Sequence, residues 1–275
     1  MRNAVTVSLA MEYLSFDGLA ESYDETRAVD VACLASALDF LVERYPPQLF
    51  QRVFEPGIGT GRIALPIAKR GYKVTGVDVS VDMLRYLKRR LAETGTSDSI
   101  SYLRGDVTML PFSDRAFDMS VAVHLFYWIR AWKTAVREIL RVTRDGGPVV
   151  VMHTGNGNEV PFLFTRYREL CAEEGWPVPQ VGAQSTSEVV DYLKSLGCEI
   201  ESIRDRWSWV TRIELDTALA YMRRRSYSYT VFAPEGIHVK VMRRLEHESR
   251  VEYGALSSVI EVPNQVYLVI VGARC

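Results

Sequence analysis

From about Gln51 onwards, the apolar and polar positions of the chain alternate between two periods. Short apolar runs typical of buried strands are followed by longer stretches in which apolar residues recur every three or four positions, as in helices. The first runs are RVFEP (52–56), KVTGVDV (73–79) and ISYLRGD (100–106). FDMSVAVHL (117–125) is nearly continuously apolar, as expected of a central strand covered on both faces. This alternation predicts βαβ units on a parallel sheet.

The helices between these strands have recognisable ends. One follows the glycines near position 60 and ends at Gly71, and Pro66 is expected to kink it. The next has Ser80 as its N-cap. Its apolar face is formed by Met83, Leu84, Leu87 and Leu91. A helix over Trp132 to Val142 then leads to a fifth strand, PVVVMHT (148–154). Five strands within about a hundred residues predict a Rossmann-like core.

After Thr154 the regular alternation of predicted strands and helices stops, and the segment up to Gln184 is rich in Gly, Asn, Pro and aromatic residues. Periodic segments then return. The remaining predicted elements are helices over 162–174, 188–196, 214–229 and 235–252, and strands over 198–209 and 265–273. The helical pair between the last two strands is interpreted as an insertion.

Composition and charge narrow the classes of function. The formal net charge of −1 gives the protein no overall positive field that would attract nucleic acid or anionic membranes. A small-molecule substrate is therefore the simpler expectation. No stretch approaches the roughly 18 apolar residues of a membrane span, and residues 1–14 lack the apolar core of a signal peptide. We therefore expect a cytoplasmic protein. The cysteines form no CxxC pair and the histidines lack metal-ligand spacing, so no metal site is expected.

The stretch VFEPGIGTGR (53–62) places three glycines within five residues, between the first strand and its helix. Such a turn lets a ligand approach the backbone and the helix N-terminus. The dinucleotide fingerprint GxGxxG would need a glycine where this chain has Arg62. Instead Glu55 leads a GxGxG turn, and its carboxylate suits an ammonium group better than a pyrophosphate. Asp78 follows Gly57 by 21 residues, where an acid accepts hydrogen bonds from ribose hydroxyls.

These motifs, with DVTMLPFSDRAFDMSVAVH (106–124), resemble the class I S-adenosylmethionine-dependent methyltransferases from about Phe16 to Gly155. The most similar subgroup is the small-molecule type 11 set that includes quinone-biosynthesis methyltransferases. The resemblance implies a seven-stranded, mostly parallel Rossmann-like α/β sheet with helices on both faces and an antiparallel last strand. It also implies one domain over 1–275. Its parts would be an N-terminal helical cap (1–50), a cofactor-binding core (51–155) and substrate lid insertions (155–184 and 214–255).

The resemblance implies S-adenosyl-L-methionine as cofactor and S-adenosyl-L-homocysteine as its product. Glu55 and the three glycines would hold the methionine end, and Asp78 would hold the ribose. Met83 would pack on the adenine, while Asp106 would accept from its amino group with Val107 alongside. The cofactor contacts implied are Glu55, Gly57, Gly59, Gly61, Asp78, Val79, Met83, Asp106, Val107 and His124.

The acceptor side is expected at the carboxyl edge of the sheet. His124 leaves the fourth strand there and is the one histidine expected to face the crevice, as a general base or as a group that positions the acceptor. Segment 16–27 resembles the family's segment that closes over the cofactor, with Tyr23, Asp24 and Arg27 at the matching positions. The residues expected at the acceptor are Tyr23, Arg27, Phe126, Tyr127, Trp128, Tyr227 and Tyr229. Core packing is the alternative for each aromatic residue.

The leading hypothesis is a methyltransferase that transfers a methyl group to a small-molecule acceptor by in-line displacement. One alternative is an RNA or protein methyltransferase that uses the patch Arg223–Arg225, although these arginines also fit a solvated helix end. Another is a non-catalytic protein that binds the same cofactor. A nicotinamide-dependent oxidoreductase is disfavoured by Arg62 and Glu55. The acceptor atom stays open, as does the choice between monomer and homodimer.

Overall fold

The structure of the chain, a computed structural model, describes residues 16–272 apart from the side chain of Ser22. The predictions for residues 1–14 and for the end of the last strand at 273 therefore lie outside the described residues. Within this range there are seven strands. They are β1 (Arg52–Pro56), β2 (Lys73–Asp78), β3 (Ile100–Arg104), β4 (Met119–Val123), β5 (Val149–Thr154), β6 (Ile200–Glu214) and β7 (Val259–Val271).

All seven strands join one sheet in the order β3-β2-β1-β4-β5-β7-β6. Neighbours from β3 to β5 run parallel, whereas β7 is antiparallel to both β5 and β6. The predicted fold class, with its antiparallel last strand, is confirmed. The chain order reverses between β1 and β4, and in such sheets ligands bind at the carboxyl ends of the strands beside that point.

Helices cover both faces of the sheet because successive strand residues point to opposite sides. Val53 packs into the core on one face, and its neighbour Phe54 packs into the core on the other. The described residues form ten α-helices. They are α1 (Ala20–Thr26), α2 (Val31–Arg44), α3 (Ala64–Ala68), α4 (Val81–Thr94), α5 (Trp132–Val142), α6 (Pro161–Glu173), α7 (Thr186–Ser195), α8 (Leu215–Arg223), α9 (Ser228–Val231) and α10 (Glu235–Tyr253). Helices α2, α3 and α4 pack on the Val53 side, and α5 and α7 on the Phe54 side. None of them is long and apolar enough to cross a membrane.

The helix after the glycines is shorter than predicted. It spans only Ala64–Ala68, and Pro66 lies in its first turn. A proline is tolerated there because the backbone N–H groups of a first turn need no partner within the helix. The predicted kink at Pro66 is therefore wrong.

The predicted helix over 214–229 is wrong as well, because it is divided in two. Helix α8 ends at Arg223, and Arg225 adopts a left-handed conformation with φ of 58°. The Arg225 guanidinium then donates to the carbonyl groups of Thr230, Val231 and Ala233. These hydrogen bonds hold the turn that leads from α8 into the short helix α9.

The last two strands extend further than the sequence pattern predicts. Strand β7 pairs with β5 only from Val266 to Val271, but it continues to pair with β6 back to Val259. The hairpin therefore projects past Thr154, the carboxyl end of β5. Its projecting residues join a separate apolar core with α6, α8, α9 and α10; they include Ile213, Ile260 and Val262. We call these four helices and the projecting hairpin the accessory lobe. Its four helices lie in the two segments predicted as insertions, whereas the hairpin lies outside them.

Candidate functional site

A crevice opens at the carboxyl ends of β1, β2 and β4, and the glycine turn forms one of its walls. Gly57, Gly59 and Gly61 all have positive φ, at 71°, 54° and 76°. A Cβ atom on Gly57 or Gly61 would lie 2.8 Å from Leu125 Cδ1 or 2.5 Å from Leu87 Cδ1. At Gly59 the nearest atom would be 3.9 Å away, the carbonyl oxygen of Gly57. Protein packing thus requires the outer two glycines, whereas Gly59 faces the open space of the crevice.

Asp78 ends β2 and ties the glycine turn to the next helix. Its Oδ2 accepts from the Gly59 N–H at 2.9 Å, and its Oδ1 accepts from the Ser80 N–H at 2.9 Å. Burial raises the pKa of Asp78, and the nearby carboxylate of Asp17 adds to that rise. A carboxylate offers about four lone-pair sites, so Asp78 can still accept from ligand hydroxyls.

The crevice brings together most of the predicted cofactor residues. Those that line it are Gly57, Gly59, Asp78, Val79, Met83, Asp106, Val107 and His124. Met83 is 2% exposed on the buried face of α4, and Asp106 Oδ1 accepts from the N–H and the O–H of Thr108. Glu55 and Gly61 do not line the crevice.

Two opposite charges with unused hydrogen-bonding atoms lie behind the glycine turn. Glu55 is 2% exposed, and neither its Oε2 nor Nε of Arg62 has a hydrogen-bond partner among the described residues. Burial raises the pKa of Glu55 well above its usual range, and the Arg62 guanidinium opposes that rise. The other Arg62 nitrogens donate to the Arg27 carbonyl at 3.3 Å and to Thr154 Oγ1 at 3.0 Å. The pair thus keeps one free acceptor and one free donor.

The N-terminal segment covers the crevice. Phe16 and Tyr23 line it, and the Phe16 ring meets Trp128 edge-on at 5.4 Å. Asp24 fastens this segment, since its Oδ1 accepts from the Thr60 hydroxyl at 2.9 Å. Its Oδ2 accepts from Arg90 at 2.7 Å. Helix α1 is thus tied to both the glycine turn and α4.

His124 follows β4 with a φ of 49°, an uncommon conformation for a non-glycine residue. Its Nε2 accepts from the Thr154 N–H at 3.0 Å and lies 3.1 Å from Thr154 Oγ1. This pattern assigns the proton of the neutral ring to Nδ1. Burial, with the charges of His153 and Arg62, lowers the pKa of His124 well below its usual range. Because its basic nitrogen is already hydrogen-bonded to the backbone, the geometry favours a positioning role over that of a general base.

A second cavity lies beside the crevice, between the carboxyl edge of the sheet and the accessory lobe. His124 and Trp128 line both spaces, which therefore meet at these two side chains. Of the other predicted acceptor residues, Arg27, Tyr127 and Tyr229 line this second cavity.

Two predicted acceptor residues do not line either space. Phe126 is 3% exposed and packs in the core on the α5 side of the sheet. Tyr227 is 2% exposed and stacks on Tyr229, with ring centres 5.4 Å apart and planes at 9°. Their placement at the acceptor is therefore wrong. The Arg27 guanidinium lies over the rings of both Tyr23 and Tyr227, at 5.4 and 5.2 Å from their centres.

Sequence reasoning missed His153, although His124 is, as expected, the histidine among the described residues that lines the crevice. His153 lines the second cavity, and its Nε2 lies 3.0 Å from Thr186 Oγ1 and 3.3 Å from the Tyr127 hydroxyl. Burial, together with the charge of Arg204, lowers the pKa of His153 to about 4. Pairing of neighbouring parallel strands could have revealed it, because β4 and β5 run in register and bring His124 and His153 side by side.

Sequence reasoning also missed Glu159, Arg168 and Ser228, which line the second cavity together with the predicted Arg27 and Tyr229. Burial raises the pKa of Glu159, although the guanidinium groups of Arg27 and Arg168 oppose that rise. The Ser228 hydroxyl is buried in the cavity wall without a hydrogen-bond partner in residues 16–272, and the buried Tyr229 hydroxyl lies beside the Glu159 carboxylate. These residues come from segments far apart in the chain and form no motif.

The arginine patch on the accessory lobe is neutralised. Arg223, Arg224 and Arg225 each lie near a carboxylate, Glu246 at 2.7 Å, Glu25 at 3.7 Å and Glu235 at 2.9 Å. None of the three lines the crevice or the second cavity. In the part of the chain that the structure describes, no group of three His, Cys, Asp or Glu residues is placed to hold a metal ion.

Comparison with known proteins decides the family. A family model described as "Methyltransferase domain" matches residues 54–151. A demethylmenaquinone methyltransferase from Beutenbergia cavernae is 32% identical over 201 residues, which cover 69% of this chain and 74% of that protein. The chain belongs to the class I S-adenosylmethionine-dependent methyltransferases. The family recognised in the sequence is thereby confirmed.

Two further comparisons show how far the match extends. A demethylmenaquinone methyltransferase from Renibacterium salmoninarum is 34% identical over 160 residues, which cover 55% of this chain. The match spans 63% of that relative's length, less than two thirds of it. The solved structure of YcgJ from Bacillus subtilis has a TM-score of 0.60 at 20% identity, with 87% of this chain and 99% of that chain covered. This likeness shows the fold.

Proposed function

We propose that this methyltransferase binds S-adenosylmethionine in the crevice and methylates a small molecule held in the second cavity. The observation that carries this proposal is the meeting of the two spaces at His124 and Trp128. A methyl group bound at that junction would face an acceptor on the other side. Holding two reactants in line is the largest task of a methyltransferase, because it turns an encounter in solution into a step within one complex.

The crevice suits the cofactor at three points. The open space at Gly59 leaves backbone accessible to a ligand, and Asp78 presents a carboxylate to ribose hydroxyls. Behind the turn, Glu55 Oε2 and Arg62 Nε are a buried acceptor and a buried donor without partners in the described chain. The methionine end of the cofactor carries one ammonium and one carboxylate group, which match that pair. These residues would hold the cofactor.

The bound cofactor would supply an electrophilic methyl group on a sulfonium. The chain's own residues orient the acceptor and exclude water around it. Neutral His124 offers its Nδ1–H as a hydrogen-bond donor, while Phe16 and Trp128 form an apolar wall at the junction. The Arg62–Thr154–His124 chain of hydrogen bonds links the residues behind the turn to this donor.

The proposal is tested by isothermal titration of the purified protein with S-adenosylmethionine, S-adenosylhomocysteine and NADH. Micromolar binding of the first two without binding of NADH is the expected result. Absence of binding to the first two would overturn the proposal. Binding of NADH alone would favour the oxidoreductase alternative.

The variant His124→Ala distinguishes a role of His124 at the acceptor from a role at the cofactor. The variant should lower turnover more than cofactor affinity, because the ring is expected to position the acceptor. A matched fall in cofactor affinity, with turnover preserved at saturating cofactor, would instead assign His124 to the cofactor site alone.

A further inference from the structure

Most of the charged side chains that line the second cavity are positive. Four arginines and two carboxylates line it; they are Arg27, Arg130, Arg168, Arg204, Glu159 and Asp205. The whole chain, by contrast, has a net charge of −1. The two histidines of the cavity, His124 and His153, add no positive charge near neutral pH because burial keeps them neutral. The second cavity therefore carries a local excess of positive charge.

Two of these arginines stand close to Glu159 but are not held by ion pairs within the described residues. Arg27 lies over the rings of Tyr23 and Tyr227, and Arg168 lies over the ring of Phe164 at 5.4 Å. Both guanidinium groups oppose the raised pKa of Glu159, a carboxylate that lines the same cavity. Glu159 can balance one guanidinium, so one positive charge stays available to a ligand.

Arg166, on the same helix as Arg168, shows the contrast. Its guanidinium pairs with three acids, Glu169 at 2.7 Å, Glu173 at 3.2 Å and Glu248 at 2.5 Å. Acids thus neutralise the arginine of α6 that faces α10. The arginine that lines the second cavity has an aromatic ring beside it instead.

Two buried hydroxyls lie in the same wall. Ser228 is 1% exposed and Tyr229 is 6% exposed, and both line the second cavity. The Tyr229 hydroxyl lies beside the Glu159 carboxylate, whereas the Ser228 hydroxyl has no hydrogen-bond partner among residues 16–272. A buried polar group normally has a partner, so the Ser228 hydroxyl indicates a ligand group that accepts hydrogen bonds. Guanidinium and hydroxyl donors on one wall are the pattern that binds carboxylates.

We propose that the acceptor is a small planar acid, whose carboxylate is bound by Arg27 and Arg168 with the hydroxyls of Ser228 and Tyr229. A carboxylate carries one negative charge, which matches the one positive charge that Glu159 leaves unbalanced. Tyr127, Trp128 and Phe164 line the same cavity and suit a flat apolar body. This inference rests on the proposed function, since it names the acceptor class for that site.

The test uses protein saturated with S-adenosylhomocysteine and a panel of benzoate, 4-hydroxybenzoate, cinnamate and indole-3-acetate, each beside its methyl ester. Isothermal titration should show at least one acid that binds tenfold or more tightly than its ester. If no acid of the panel binds better than its ester, the inference is overturned. Tighter binding of phenyl phosphate than of any acid would replace the carboxylate by a phosphate and also overturn it.

Substitutions test whether Arg168 causes the preference for an acid over its ester. Arg168→Gln should remove most of the acid-over-ester preference, and Arg168→Lys should retain part of it. Arg243→Gln is the matched control because Arg243 is exposed on α10 and lines neither cavity. An equal loss in Arg168→Gln and Arg243→Gln would contradict the assignment. Binding of S-adenosylhomocysteine to all variants shows that the cofactor site is intact, so a failure of the acids to bind would count against this inference and not against the cofactor site of the proposed function.

Discussion

The crevice and the second cavity meet at two side chains, yet they are built in opposite ways. The crevice is lined mainly by one stretch of the chain, from Gly57 to Ile129, and the segment with Phe16 and Tyr23 covers it. The second cavity is assembled from residues as far apart as Arg27 and Tyr267, which the hairpin and the accessory lobe bring together. The spacing of residues along the sequence can therefore predict the crevice. The second cavity depends on how the accessory lobe packs against the sheet.

The two spaces also differ in the polar groups that they offer to a ligand. The acids of the crevice, Asp78 and Asp106, accept hydrogen bonds, whereas the second cavity presents mostly guanidinium and hydroxyl donors. A ligand with hydroxyl and amino groups suits the crevice, and a ligand with an anionic group suits the cavity. Four substitutions test this division, from the largest expected effect to the smallest.

The largest effect is expected at Gly59. Gly59→Val places a branched side chain in the crevice at a φ of 54°, so S-adenosylhomocysteine affinity should fall by at least about a hundredfold, about 3 kcal/mol. Gly61→Ala is the control, because its methyl group would meet Leu87 rather than the ligand. That variant should lose about 1–3 kcal/mol of stability by overpacking. Titration and urea unfolding of both variants distinguish the two roles. Unchanged affinity in Gly59→Val would place the ligand elsewhere.

Asp78→Ala should weaken S-adenosylhomocysteine binding by a factor of tens, about 1.5–3 kcal/mol, because it removes a charged acceptor of hydrogen bonds. Asp78→Asn keeps one acceptor oxygen and should lie between wild type and alanine. Asp191→Ala, an exposed change on α7, is the control and should bind normally. Wild-type affinity of Asp78→Ala would remove Asp78 from the ligand site.

His153 should make stability depend on pH. Its pKa is about 4 in the folded protein and about 6.5 in an unfolded chain, so the unfolded state binds the proton first as pH falls. The free energy of unfolding should therefore drop by about 2 kcal/mol from pH 7 to pH 5 on account of His153. His124 and His238, whose pKa values burial also lowers, add to the total drop.

Urea unfolding at both pH values isolates the contribution of His153. The drop should be about 2 kcal/mol smaller in His153→Gln than in wild type. His247→Gln changes an exposed histidine of α10 and should leave the drop unaltered. An equal drop in His153→Gln and wild type would show that His153 is not buried as a neutral ring.

The smallest effect is expected from Arg223→Gln combined with Arg224→Gln. Both side chains are partly exposed and paired with acids, and such pairs contribute up to about 1 kcal/mol each. Methyl transfer to a small acceptor should stay within about twofold of wild type, as measured by release of S-adenosylhomocysteine. A large loss of activity, restored by low salt, would revive the polyanion alternative.

Much of the crevice could be predicted because its geometry follows from short-range spacing. The offset of Asp78 from Gly57 matches one strand, one turn and one helix, so both reach the same edge of the sheet. The Ser80 cap was predicted for the same reason, and the Ser80 hydroxyl does accept from the Met83 N–H at 3.2 Å. Local chemistry and the global fold agree in this region.

The second cavity could not be predicted in this way. Arg225 adopts a left-handed conformation that helix periodicity does not reveal, so Tyr227 turns into the core while Tyr229 reaches the cavity. Glu159 and Arg168 belong to a segment without any motif. They face the cavity because the hairpin extends past β5 and carries the lobe over the sheet edge. Such placement follows from long-range packing, which a single sequence does not show.

A crystal structure of the protein with S-adenosylhomocysteine tests the central claim most directly. We expect the ribose hydroxyls at Asp78, the amino-acid end at Glu55 and Arg62, and the sulfur towards the junction of His124 and Trp128. The second cavity should stay open to an acceptor. Density for the ligand in the second cavity, or an empty glycine turn at saturating ligand, would contradict the division of roles between the two spaces.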